Sequence, residues 1–303
     1  MLLNQFSRLY LLIMKLKYSF PQIALAVAAL AFSVTALSAA DAPLVKTGTK
    51  VAFLGDSITQ GGASHPGGYV RLVESGLKAA GINIVAIPAG ISGHKSNDML
   101  ARLDKDVISK KPDVMTLSCG VNDVWHGPRG VELDAYKKNI TEIVDRAQKA
   151  GIQVVILTST LIGPKLDDAN NTKAKAYNEF LRDLAKERKL PVADLNADMI
   201  EAQSKEAPGG GKVNVTTDGV HMNHLGNLMM AKGVLKSLGI SSADLAKAEA
   251  SWQTIPDAVT VTAKAKLSLK QMEALEAYAA KQKKSVDAVI AELLQGAVAG
   301  AVK

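Results

Sequence analysis

The stretch Lys50-Val51-Ala52-Phe53-Leu54-Gly55-Asp56-Ser57-Ile58-Thr59 runs apolar for the length of one strand, stops at glycine and breaks into Asp-Ser. A strand with no polar alternation is buried on both faces, as in parallel sheets covered by helices. The pattern recurs at residues 84–87, 114–118, 154–158 and 192–195. Residues 69–80, 98–109, 133–150, 173–188 and 224–238 carry helical spacing between and after these runs, with Gly81 and Gly151 as stop signals. Strands alternating with helices, joined by right-handed crossovers, predict an α/β fold: a flavodoxin-like, doubly wound, parallel five-stranded sheet.

At 303 residues the chain can build one large domain with an appendage. Its 48% apolar and 21% charged content is that of a globular protein. Ahead of the first strand, Arg8, Lys15 and Lys17 precede an apolar run over 23–37, followed by Ser38-Ala39-Ala40. Charged, apolar and small segments in that order predict a signal peptide at 1–40, with Met14 able to start it alone. The apolar run is shorter than the ~20 residues that span a bilayer. The expected mature protein is therefore exported, periplasmic or extracellular, with no stable membrane anchor. Three of the +7 formal charges lie in that segment, which has no acids, leaving +4 on scattered lysines. No basic run interleaves with aromatics, so no nucleic-acid partner is expected. Cys119 is the single cysteine, which rules out an intrachain disulfide and reads as a buried thiol.

The expected hydrolytic domain covers 41–255, and 256–303 form a small strand-helix-helix appendage. Val259, Val261, Ala263, Ala265 and Leu267 alternate with polar residues, as in a strand. Ser268 and Gln271 form a capping box before a helix, and Ser285 opens a second one. The order resembles ribbon-helix-helix modules in apolar spacing, and a packing or homo-oligomer contact is the expected role.

Three segments far apart carry chemistry: Gly55-Asp56-Ser57, Gly120-Val121-Asn122-Asp123 and Asp218-Gly219-Val220-His221. A hydroxyl attacks an acyl carbon only with a base beside it, and the base needs a group to orient it. Ser57 follows the first strand, where ligands of open α/β sheets bind. His221 has the side chain suited to proton transfer near neutrality, and Asp218 three residues earlier can hold its tautomer. Asn122, after the third strand, offers an amide donor for an oxyanion. Gly93, after the second, lets a backbone N–H come close to substrate. Read singly, each could be a turn or a cap, and Asp123 is expected to cap the turn after Asn122.

Together with Gly90-Ile91-Ser92-Gly93, these blocks resemble the SGNH/GDSL hydrolases over about residues 49–238. The resemblance implies Ser57 as nucleophile, Asp218 and His221 as its triad partners, and Ser57, Gly93 and Asn122 as the oxyanion hole. Two positions depart from the family pattern: Ile58 replaces the leucine of the name-giving motif, and Pro88 stands where many relatives carry Asn. The implied activity is ester hydrolysis through an acyl-serine, with no cofactor and no metal. Export, a polar rim and the resemblance make short acyl, above all acetyl, esters of carbohydrates the expected small-molecule or polysaccharide substrates, and the Gln60-Gly61-Gly62-Ala63-Ser64-His65-Pro66 segment, read as a polar, glycine-rich loop, favours small acyl groups over long chains. His94, Trp125 and His126 are candidates for the substrate pocket. A lipase, lysophospholipase or thioesterase is the alternative within hydrolases, and a catalytically silent glycan-binding or assembly protein the alternative outside them.

Overall fold

The computed structural model describes residues 42–163, 165–207, 210–261 and 264–302; the expected signal at 1–40 lies outside them. Five strands form one parallel sheet: β1 (Lys50–Gly55), β2 (Val85–Gly90), β3 (Val114–Ser118), β4 (Gln153–Leu157) and β5 (Val192–Ala193). Their order is β2-β1-β3-β4-β5, the flavodoxin-like arrangement expected. Val51 to Leu54, Val114, Met115, Leu117 and Val154 to Leu157 are all buried, so the central strands are dry on both faces. Strand order reverses between β1 and β3, and the chain leaves both strands at the same rim.

The covering helices are α1 (Ser57–Ser64), α2 (Tyr69–Ala79), α3 (Ser96–Asp106), α4 (Val121–Trp125), α5 (Leu133–Lys149), α6 (Ala169–Arg188), α7 (Leu195–Ser204), α8 (His224–Ser237) and α9 (Ser242–Trp252). Helices α2, α8 and α9 pack together, as do α3, α5 and α6, giving a layer for each face of the sheet. Helix α9 is pinned by Trp252, whose Nε1 donates to the Leu72 carbonyl at 2.9 Å.

Three differences from the sequence reading have local causes. The expected loop at 60–66 is mostly helix, because Asp56 caps α1 and Gly62 lies under the Tyr69 ring, where a Cβ would approach Cδ1 to 2.5 Å. Strand β5 has two residues because Asp194, bonded by Arg182 at 2.8 and 2.9 Å, caps α7 at once. Pro88 is accommodated because β2 is an outer strand: Val85 and Ile91 donate to Thr49 and Gly55 of the β1 side, so the alternate residue Pro88 turns its nitrogen away from β1.

Contacts divide the chain into two units, one ending at Ala258 and one beginning at Val259. In the second, α10 (Leu269–Lys281) and α11 (Val286–Ala301) pair, capped by Ser268 and Ser285. The strand expected over 259–267 is not formed by its described residues, 259–261 and 264–267. An alternating segment becomes a strand only against a partner edge, and this unit has no second strand among its described residues.

Candidate active site

Ser57 is the first residue of α1, so its N–H has no intrahelical acceptor and faces the rim. Its Oγ lies 2.9 Å from His221 Nε2. His221 Nδ1 lies 2.7 Å from Asp218 Oδ2, and the other oxygen of Asp218 accepts from the Val220 and His221 backbone at 3.0 and 2.8 Å. Partial burial works to raise the Asp218 pKa, but these bonds from His221 and Val220 bring it down to about 2. Asp218 is thus a carboxylate that only accepts; His221 carries its proton on Nδ1, and Nε2 is left to accept from Ser57. His224 begins α8 behind the Asn223 cap and is exposed, apart from this line.

Asn122 enters on α4, a single turn launched by Gly120 after β3, and is buried. Its Nδ2 donates to the His94 carbonyl at 3.1 Å and points at Asp56 Oδ2 at 3.4 Å; its Oδ1 lies 3.2 Å from His126 Nε2. Gly93 is exposed in a turn closed by His94 N on Ile91 O, with φ of 77°, a backbone state that favours glycine. The turn is tied to the nucleophile's helix by Ser92 N, which donates to Gln60 Oε1 at 2.8 Å.

The three expected pocket residues separate. His126 is occupied by the Asn122 amide, while Trp125 is 44% exposed, its ring 5.9 Å from that of His126. His94 accepts at Nδ1 from Arg102 Nε at 3.1 Å, so its proton sits on Nε2. Burial first, then the Arg102 guanidinium, holds its pKa below the usual imidazole range.

Arg102 was not singled out from the sequence. Only 9% exposed, it also donates to the carbonyls of Gly55 (2.8 Å) and Ala89 (2.9 Å) and to Asp106 (3.0 Å). It thereby ties the ends of β1 and β2 to the His94 turn. Its signal was its place beside Met99 and Leu103 on the buried face of α3. Asp123 does not cap its own turn: it receives Ser96 N at 3.0 Å and Ser96 Oγ at 2.6 Å, anchoring the start of α3, and burial raises its pKa. Cys119 is buried beneath it, as expected.

A doubly wound sheet with a Ser–His–Asp line at its switch point defines a class, the α/β ester hydrolases. The chain belongs to the GDSL-like lipase/acylhydrolase family, whose pattern matches residues 53–228, and by that membership it is a carboxylic ester hydrolase. An acetylxylan esterase of Geobacillus stearothermophilus is 27% identical over 214 residues, 64% of this chain and 96% of that protein. The crystal structure of the acetyl xylan esterase AlAXEase matches with a TM-score of 0.57 at 34% identity, over 62% of this chain and 98% of that one. That of Axe2, an acetylxylan esterase from Geobacillus stearothermophilus, matches with a TM-score of 0.59 at 27% identity, over 65% and 97%.

Proposed function

We propose that this chain is an exported serine esterase, periplasmic or extracellular, that removes short acyl groups, chiefly acetyl, from carbohydrate esters. The observation that carries the mechanism is the unbroken line Ser57 Oγ–His221–Asp218, at 2.9 and 2.7 Å. Ser57 Oγ bonds to the ester carbonyl carbon while its proton passes to His221 Nε2. The resulting oxyanion is held by the N–H of Ser57, the N–H of Gly93 and Asn122 Nδ2. Collapse breaks the bond to the alcohol oxygen, which takes the proton from His221 and departs. Water then attacks the acyl-serine, again giving its proton to His221, and the acid leaves as Ser57 Oγ regains a proton. Asp218 stays ionised and steadies the imidazolium.

Two observations support the substrate class. Several relatives of near-complete coverage are named as acetylxylan esterases, and Axe2 variants replacing one serine and one aspartate are described as catalytic mutants. The site is also open to solvent, with Ser92, Gly93 and Trp125 exposed around it, and beside Asp218 lies a cavity of about 300 Å³ lined by Gln203, Lys212, Asn214 and Thr216. An opening of that kind leaves room for a polysaccharide chain to reach Ser57. Most of 60–66 is helix α1 and not the expected polar loop, so that segment does not bear on acyl-chain length.

The test compares residues 41–303 with Ser57→Ala on p-nitrophenyl acetate, butyrate and octanoate, with acetate release from acetylated xylan measured in parallel. Wild-type turnover should fall with chain length and release acetate, and Ser57→Ala should lose at least about 10³-fold in kcat. Preference for octanoate would move the assignment to lipids or thioesters; turnover unchanged by Ser57→Ala would end the serine mechanism.

A further inference from the structure

Next to the nucleophile sits a carboxyl that the proposed mechanism leaves without a task. Asp56 is 2% exposed. Its Oδ1 accepts from Ile58 N at 2.9 Å, capping α1. That duty needs one oxygen, and Ser or Asn would serve it. The second oxygen, Oδ2, faces Asn122 Nδ2 at 3.4 Å. Burial pushes the carboxyl up to about 6, a strain a neutral cap would not carry.

On the reading of Asn122 as an oxyanion donor given above, we propose that Asp56 is the positioning residue that fixes which end of the Asn122 amide faces the reacting oxygen. An amide has one end that only donates and one that only accepts. At the donor end lie two acceptors, the His94 carbonyl and Asp56 Oδ2; at the other lies His126 Nε2. Turning the amide over would set Oδ1 against a carbonyl and a carboxylate. His126 does not enforce the choice, because an imidazole nitrogen donates or accepts according to its tautomer. The carboxylate is the charged member of the set and so the strongest discriminator. Its distance matters as well. At 3.4 Å the bond is beyond the usual N–H···O range, so Asp56 aims the N–H without holding it. An oxyanion forming on Ser57 can take the hydrogen over with little reorganisation, as a preorganised donor requires.

The alternative is that Asp56 only caps α1, and a double-mutant cycle separates the two. Asp56→Asn keeps a good cap but brings an N–H₂ towards the Asn122 amide, donor against donor. On p-nitrophenyl acetate its kcat should fall about 10²-fold, the size of a lost oxyanion donor, with KM within about twofold. In an Asn122→Ala background the same change should alter kcat by less than about twofold, because the group it acts through is gone. Equal fold-losses in both backgrounds, or none in either, overturn the proposal. If Asp56→Asn does not fold, Asp56→Ser, which caps through its hydroxyl and lacks the second oxygen, is carried through the same cycle. Ser57→Ala is measured alongside. Wild-type turnover in that variant overturns the serine reading and this proposal with it, whereas an inactive Ser57→Ala with an additive cycle overturns the role of Asp56 alone.

Discussion

Asp56 carries a stability signature that can be read apart from turnover. Its carboxyl titrates near 3.8 when unfolded and about 6 when folded, so the native state holds the proton to higher pH. The sign follows: between pH 4 and 6 the native form binds more protons than the unfolded one, and stability from this group falls as pH rises, by about 3 kcal/mol in total. The melting temperature of Asp56→Asn relative to wild type should therefore climb by several degrees as pH rises from 4 to 7, whatever the fixed cost of the donor–donor contact. A gap that does not change over that window contradicts the burial argument. Residues of this kind were the least legible in the sequence. Ser57, Asn122, Asp218 and His221 stand in short motifs whose spacing brings them to one rim, and the structure gathers them there. Asp56 and Arg102 act on partners donated by other strands, so no local pattern names those partners; for Arg102 only a cation on an apolar helical face hinted at anything.

Between elements, helix α1 sits close on strand β2 in the site. A Cβ at Gly90 would come within 2.3 Å of Gln60 N, and the helix that would have to move begins with Ser57. Gly90→Ala should cost about 1–3 kcal/mol of stability and lower kcat at least tenfold, since small displacements of a reacting group are expensive. Gly61→Ala is the companion variant: nothing lies within 4 Å of its Cβ, so in the same helix it should raise stability by about 0.5–1 kcal/mol. Thermal melts and p-nitrophenyl acetate rates decide both, and a harmless Gly90→Ala would refute the close fit. Periodicity exposed the long strands and the amphipathic helices α2, α3 and α5. It missed α1, whose two central glycines look like a loop until Tyr69 is seen lying on one of them. It missed α7 as well, which buries only Leu195, Met199 and Gln203.

For the molecule as a whole, alternating strands and helices made the doubly wound sheet readable, and with it the rim where the motifs meet. The appendage was read less well, because a strand pattern says nothing about whether an edge is there to receive it. The two units have separate contacts, so a chain ending at Ala258 should keep p-nitrophenyl acetate turnover within about twofold of the full chain and the same main melting transition; loss of that transition would mean the second unit is part of the first unit's fold. The sheet itself ends on one side in β2, with Pro88 in mid-strand and its ring nitrogen turned away from β1. An unpaired strand margin is a template on which other chains can polymerise into fibrils. Here the row of donors is interrupted at its centre, so an incoming strand meets a gap instead of a continuous ladder, and the margin nearest the nucleophile's helix resists runaway self-assembly.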